Sequence, residues 1–154
     1  MFTRERVNAI HMPYRYLEDA AITDAAFEAW GGSLEEMLMS ASDATMNIMI
    51  GDLSSIRPMQ YRHLRIKENQ IDMLLFQLLQ ELIYYKDAEQ LLLLVRSIRV
   101  EQHDTDWSAF VEVAGETIDR ERHDLIVDIK AVTLHNFSAV QTAQGWKTTV
   151  TVDV

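Results

Sequence analysis

The sequence predicts an α+β domain in which two helices pack on a mostly antiparallel β-sheet. Three observations carry this. Residues 34–50 and 71–85 place apolar side chains at helical spacing, and most of the remaining apolar residues fall in short alternating runs bounded by turn residues. Gln144-Gly145 between the last two runs reads as a hairpin turn, and the sum of the elements is an α+β domain. With 154 residues, five Gly and two Pro, the chain has room for a real core and no composition break, so a single domain over 1–154 is expected.

Taken in order, Pro13-Tyr14-Arg15-Tyr16-Leu17 reads as a short strand. Residues 25–30 read as a second strand that stops at Gly31-Gly32. Ser33-Leu34-Glu35-Glu36 is a capping-box pattern, with Ser33 accepting from a free backbone N–H and Glu36 reaching back. Leu34, Met37, Leu38, Ala41, Ile48 and Met49 then mark an amphipathic helix over 34–50. Its methionines, Met37, Met39, Met46 and Met49, are read as core filling, with an adaptable binding surface as the alternative. A strand follows over 60–67. Asn69 is expected to cap the second helix, which is apolar on nearly every face between Ile71 and Ile83 and is therefore read as the central core helix. Strands are expected over 91–101, 107–116, 125–142 and 146–152, with Gln144-Gly145 turning the last hairpin.

Composition excludes several chemistries. There is no Cys, which removes disulfides, zinc–thiolate sites, iron–sulfur clusters and cysteine catalysis. The formal net charge is -10 and the isoelectric point about 4.8, which argues against a broad basic footprint for nucleic acid and is compatible with a cation or a basic partner. Mean hydropathy is -0.10, ordinary for a soluble protein. Residues 1–12 lack an apolar signal region, and no stretch approaches the ~20 apolar residues that span a bilayer, so a cytoplasmic protein without membrane association is expected.

Local catalytic motifs are absent: neither G-x-S-x-G, G-x-G-x-x-G nor G-x-x-x-x-G-K-[ST] occurs. The five histidines, His11, His63, His103, His123 and His135, show no H-E-x-x-H spacing. His103-Asp104-Thr105-Asp106 contains D-x-D without the rest of a calcium loop and reads as a solvated turn. His123 and His135 are read as structural, an acid–base role being the alternative.

One constellation remains. Asp153 and the carboxylate of Val154 follow the last strand, and the acidic segment Asp19-Ala-Ala-Ile-Thr-Asp24 precedes the second. If the two meet, Asp24, Asp153 and Val154 offer only oxygen donors, the set that selects hard cations such as calcium or magnesium.

Several segments resemble the archease family, in its order and over nearly the whole chain. They are Tyr16-Leu-Glu18, Asp24-Ala-Ala-Phe-Glu-Ala-Trp-Gly31, Ser33-Leu-Glu-Glu36, His123, Lys130-Ala-Val-Thr133 with His135, and Gly145-Trp146 through Val152-Asp153-Val154. The resemblance implies a non-enzymatic protein cofactor of an RtcB-type RNA ligase in tRNA splicing and RNA repair. It would promote ligase guanylylation and multiple turnover through a transient protein contact, with little direct nucleic-acid binding. It also implies a divalent metal, calcium first and magnesium or manganese as alternatives, at Asp24, Asp153 and Val154, and a ligase-activating contact at Lys130. The stretch Glu18-Asp19-Ala-Ala-Ile-Thr-Asp24 is two residues longer than the family pattern and lacks its histidine, which leaves the place of Asp19 open. Two other readings stand beside this one. The first is a chaperone-like interaction module. The second is a metal-dependent hydrolase built on Asp24 and Asp153 with His123 or His135.

Overall fold

The computed structural model describes residues 2–5, 13–18 and 23–154. His11 and Asp19 lie outside them. The described strands are β1 (Phe2–Glu5), β2 (Tyr14–Leu17), β3 (Asp24–Gly31), β4 (Gln60–Glu68), β5 (Leu91–His103), β6 (Asp106–Thr117), β7 (Ala131–Thr142) and β8 (Gly145–Asp153). The helices are α1 (Leu34–Met49) and α2 (Ile71–Glu89). The described strands pair antiparallel in two four-stranded sheets, ordered β1-β5-β6-β4 and β2-β3-β8-β7. Both helices touch both sheets: α1 meets β2, β3 and β8 on one side and β1 and β5 on the other, and α2 meets β4, β5 and β6 together with β7.

The central helix is α1, not α2. Thirteen of its 16 residues are buried, against seven of 19 in α2, whose Tyr84 faces solvent. The sequence misleads here because α1 carries Ser40, Ser42 and Thr45. These hydroxyls donate back to the Glu36, Leu38 and Ala41 carbonyls at 2.7–2.8 Å, so they enter the core with their polarity satisfied inside the helix. All four stripe methionines of α1 are buried, as core filling requires.

The capping box forms with one change. The Glu36 N–H donates to Ser33 Oγ at 3.2 Å, while the Glu36 carboxylate accepts from the Gly32 N–H at 2.9 Å rather than from Ser33. Helix α2 starts after Gln70, not Asn69, with no side-chain cap, and runs four residues past the expected end. Its stop is unmarked in sequence because Gln90, not a glycine, takes the left-handed cap at φ 53°.

The expected long strand over 125–142 begins only at Ala131. Residues 118–130 form an irregular connection between β6 and β7 that touches the end of α1 through an Ile50–Leu125 bridge. Its apolar, β-branched Leu125-Ile126-Val127 stretch satisfies strand propensity without a strand partner. Within β7 the register to β8 shifts between Thr133 and Ser138, with Asn136 at φ 52°. The β7–β8 turn is Ala143-Gln144, and Gly145 at its foot has φ 139°. A Cβ there would lie 2.2 Å from the Gly31 carbonyl oxygen, so this close approach of β8 to the end of β3 requires glycine.

Candidate functional site: a carboxylate pair at one end of the sheet

Strand β8 lies between β3 and β7, and this sets the site. Asp24 is the direct partner of Asp153 across β3 and β8, and Ala131 is the partner of Asp153 across β8 and β7. Directly opposed residues point to the same face of a sheet, with Cβ atoms about 4.5–5.5 Å apart. Inward positions of the pair are filled by Phe27, Ala29, Val150 and Val152, all fully buried. Asp24 and Asp153, one residue out of phase with them, therefore share the outer face, and both are half-buried.

Two main-chain hydrogen bonds tie the neighbours to this end. The Val154 N–H donates to the Thr23 carbonyl at 3.0 Å, and the Lys130 N–H donates to the Asp153 carbonyl at 2.8 Å. Asp24, Asp153, Val154 and Lys130, all singled out from the sequence, are thus neighbours at one tip. Further along the same face the next acid is already neutralised. Glu28 is buried between Arg15 and Lys147, and the hydrogen bond from Lys147, then that from Arg15, holds its carboxyl below the usual range against the cost of burial. Among the described residues neither Asp24 nor Asp153 enters an ion pair.

Like charges opposed across a ladder are destabilising. A cation relieves that cost, and the donors fit a hard one: two carboxylates and the oxygens of Val154, with no nitrogen or sulfur. The shell is incomplete as it stands. Among the described residues no three His, Asp or Glu side chains converge.

Neither candidate histidine joins the tip as a free base. The His123 ring is fully buried. Its Nδ1 accepts from the Asp119 N–H at 2.9 Å, which leaves Nε2 to donate to Glu116 at 3.1 Å. His135 is exposed on β7, with its Nε2 3.3 Å from the Asn136 amide nitrogen.

Two polar clusters were not legible as such in the sequence, and both fix the 118–130 connection. In the first, Glu116 accepts from Arg122, from the Arg57 N–H at 2.7 Å and from His123, while Arg122 also donates to the Ser55 carbonyl at 2.6 Å. Burial works to raise the Glu116 carboxyl, but the Arg122 hydrogen bond, the Arg57 N–H, His123 and the charge of Arg122 together bring it down to about 2. A depressed carboxyl stabilises the fold above its unfolded value and loses that contribution as pH falls through the folded one. We expect acid to remove about 3 kcal/mol of stability between about pH 5 and pH 2 through this group. Urea unfolding at pH 7 and pH 3 checks it: at pH 3 about 2 kcal/mol of this contribution is already gone, and the difference between the two pH values should shrink by about that amount in Glu116→Gln.

In the second cluster, Lys86 is buried on the apolar stripe of α2. Its ammonium donates to Asp87 at 2.5 Å, to Asp128 at 2.5 Å and to the Ile129 carbonyl at 2.8 Å. A lysine three residues after Ile83 and four after Leu82, on their buried face, was the available signal.

A concavity lies elsewhere. A cleft of about 890 Å³ lined by Ser33, Glu35, Val100, Trp107 and Trp146, among others, sits where β3 ends, roughly 23 Å along the strand from Asp24. Ser33 is used there as a helix cap, and burial raises the Glu35 carboxyl. Its lining also includes Glu101 and His103, but Asp24, Asp153, Val154 and Lys130 meet only at the other end of the strand, at the carboxylate tip.

Two sheets enclosing a nearly all-buried helix, with a carboxylate pair at one end of the second sheet, define a small α+β protein with a half-buried acidic tip. The family model described as the Archease protein family (MTH1598/TM1083) matches residues 14–154, and the chain belongs to the archease family. It is 31% identical over 144 residues to the protein archease of Methanosarcina barkeri, covering 92% of this chain and 95% of that protein. The protein archease of Methanopyrus kandleri is 26% identical over 143 residues, 93% of this chain and all of its own length. Among solved structures, protein 1598 of Methanobacterium thermoautotrophicum superposes with a TM-score of 0.80 at 25% identity, over 94% of this chain and all of that one. A Thermotoga maritima protein described as an archease and possible chaperone has a TM-score of 0.53 at 17% identity, covering 98% of each chain, a likeness of fold alone. Among the described residues no helix is long and apolar enough to cross a membrane.

Proposed function

We propose that this protein is a non-catalytic cofactor of an RtcB-type RNA ligase in tRNA splicing and RNA repair. In this reading it promotes guanylylation of the ligase and its multiple turnover, acts in the cytoplasm and joins no RNA itself. Membership of the archease family supports the role, and the observation that carries it to particular atoms is the direct pairing of Asp24 with Asp153 beside Lys130.

Asp24, Asp153 and Val154 would hold a divalent ion, calcium first, with magnesium or manganese as alternatives. The ion would supply electrostatic stabilisation to phosphoryl groups. The residues supply the rest. β3 and β8 hold the two carboxylates at one spacing, and the ladder keeps the Lys130 main chain beside them. Because the tip brings few donors of its own, oxygens of the partner or its nucleotide would complete the shell, which suits a transient complex better than a permanent one.

The test is guanylylation of the host's ligase, supplied with its own metal, with and without this protein. Stimulation at substoichiometric protein is expected, weakened when the protein has first been stripped with EDTA and desalted, and restored by calcium. A ligase indifferent to the added protein would end the proposal. The chaperone-like reading loses the methionine stripe, which is buried in α1, and keeps the description of the Thermotoga maritima protein as a possible chaperone. The hydrolase reading gains nothing from His123, whose ring nitrogens are both engaged.

A further inference from the structure

The 118–130 connection holds an apolar triad outward. Leu125, Ile126 and Val127 are 37%, 58% and 45% exposed, the one run of successive exposed large apolar residues among those described. Single exposed apolar residues are ordinary, whereas a contiguous patch signals a contact.

The triad is not loose. On one side Gly51 N–H donates to the Asp124 carbonyl and Ile126 N–H to the Met49 carbonyl, both at 2.9 Å. On the other, the Lys86 ammonium grips Asp128 and the Ile129 carbonyl, and Ile129 is fully buried. With backbone and flanks fixed, the three side chains have no route into the core. The same stretch continues directly to Lys130, whose N–H donates to Asp153, so the triad ends about 10 Å or less from the tip. Exposed Asp124 and Asp128 bracket it.

We infer that Leu125, Ile126 and Val127 form a docking surface, continuous with the carboxylate tip, for a protein partner that presents an apolar depression with a Lys/Arg rim. The inference rests on the proposed function for the identity of that partner, the ligase. The triad supplies residence on the partner, and the tip acts on the bound complex. Exposed apolar anchors next to charged rims are the usual source of interface affinity, with acid–base complementarity setting approach and register.

The experiment titrates this protein against ligase guanylylation and reads two quantities: the concentration for half-maximal stimulation and the maximum reached. Ile126→Glu should raise the first by roughly tenfold or more and leave the maximum unchanged, and Ile126→Met should behave as the parent. Thermal unfolding of both variants should match the parent, because the side chain is mostly in water. Ile126→Glu with an unaltered half-maximal concentration would overturn the surface while leaving the cofactor role standing. A parent protein without any stimulation would overturn both. Sedimentation in which the parent self-associates and Ile126→Glu does not would assign the triad to a second copy of this chain and overturn the inference as stated.

Discussion

Asp24→Asn yields a folded protein that no longer stimulates ligase guanylylation. Losing a residue that merely supports a metal ligand typically costs about 10–100-fold, so losing one of two side-chain ligands should reach the upper end of that range or pass it. Asp153→Asn should do the same, for the two occupy one ladder position. The stability change separates this from ordinary damage. Removing one of two opposed carboxylates relieves repulsion, so either variant alone should unfold at equal or slightly higher denaturant than the parent, by a few tenths of a kcal/mol up to about 1. Asp104→Asn, in the turn of the β5–β6 hairpin near the far cleft, is the control and should alter neither quantity. Asp24→Asn with full stimulation would remove the tip from the mechanism.

Phe27→Ala is expected to have the largest effect on stability. Phe27 is fully buried on the inward face of β3, opposite Val150 and edge-on to the Tyr16 ring at 6.4 Å between centroids. It fills the layer between its sheet and α1. Truncation removes transfer free energy and leaves a cavity in a region where three strands and the central helix meet, which costs about 3–5 kcal/mol. For a chain of this length that corresponds to a melting midpoint lower by about 10 °C. Phe27→Leu should cost about a third as much, since most of the volume is kept. Calorimetry of the two variants checks the order. A loss under about 1 kcal/mol in Phe27→Ala would mean that β3 is not held by its inner face.

Much of the fold was legible because period and punctuation agreed. The double glycine at 31–32, the Ser33 cap and the 3.6-residue spacing of Met37, Leu38 and Ala41 all marked the same boundary, and α1 begins there. Legibility failed where a rule had a hidden exception. The hydroxyls of Ser40, Ser42 and Thr45 are polar in sequence and apolar in effect, so the wrong helix was read as central. Gln90 fills a position that glycine usually marks, so α2 ran long. Leu125-Ile126-Val127 has the composition of a strand, but its backbone bonds to the end of α1 and its side chains face water.

The tip residues were named from the sequence, and the ladder brings Asp24, Asp153, Val154 and Lys130 together. The anchors beneath them were not named. Glu116 and Lys86 acquire meaning only from partners brought by the fold, 59 residues away for the Arg57 N–H and 42 for Asp128.

The place of β8 between β3 and β7 also bears on synthesis. It is translated after every other strand, yet it is the shared neighbour of two that precede it. Until it emerges from the ribosome, β3 and β7 each present an open hydrogen-bonding edge, a template for pairing with other chains. Asp24 meanwhile faces no opposing acid. The acidic pair therefore comes into being only once β8 has joined β3 in the sheet.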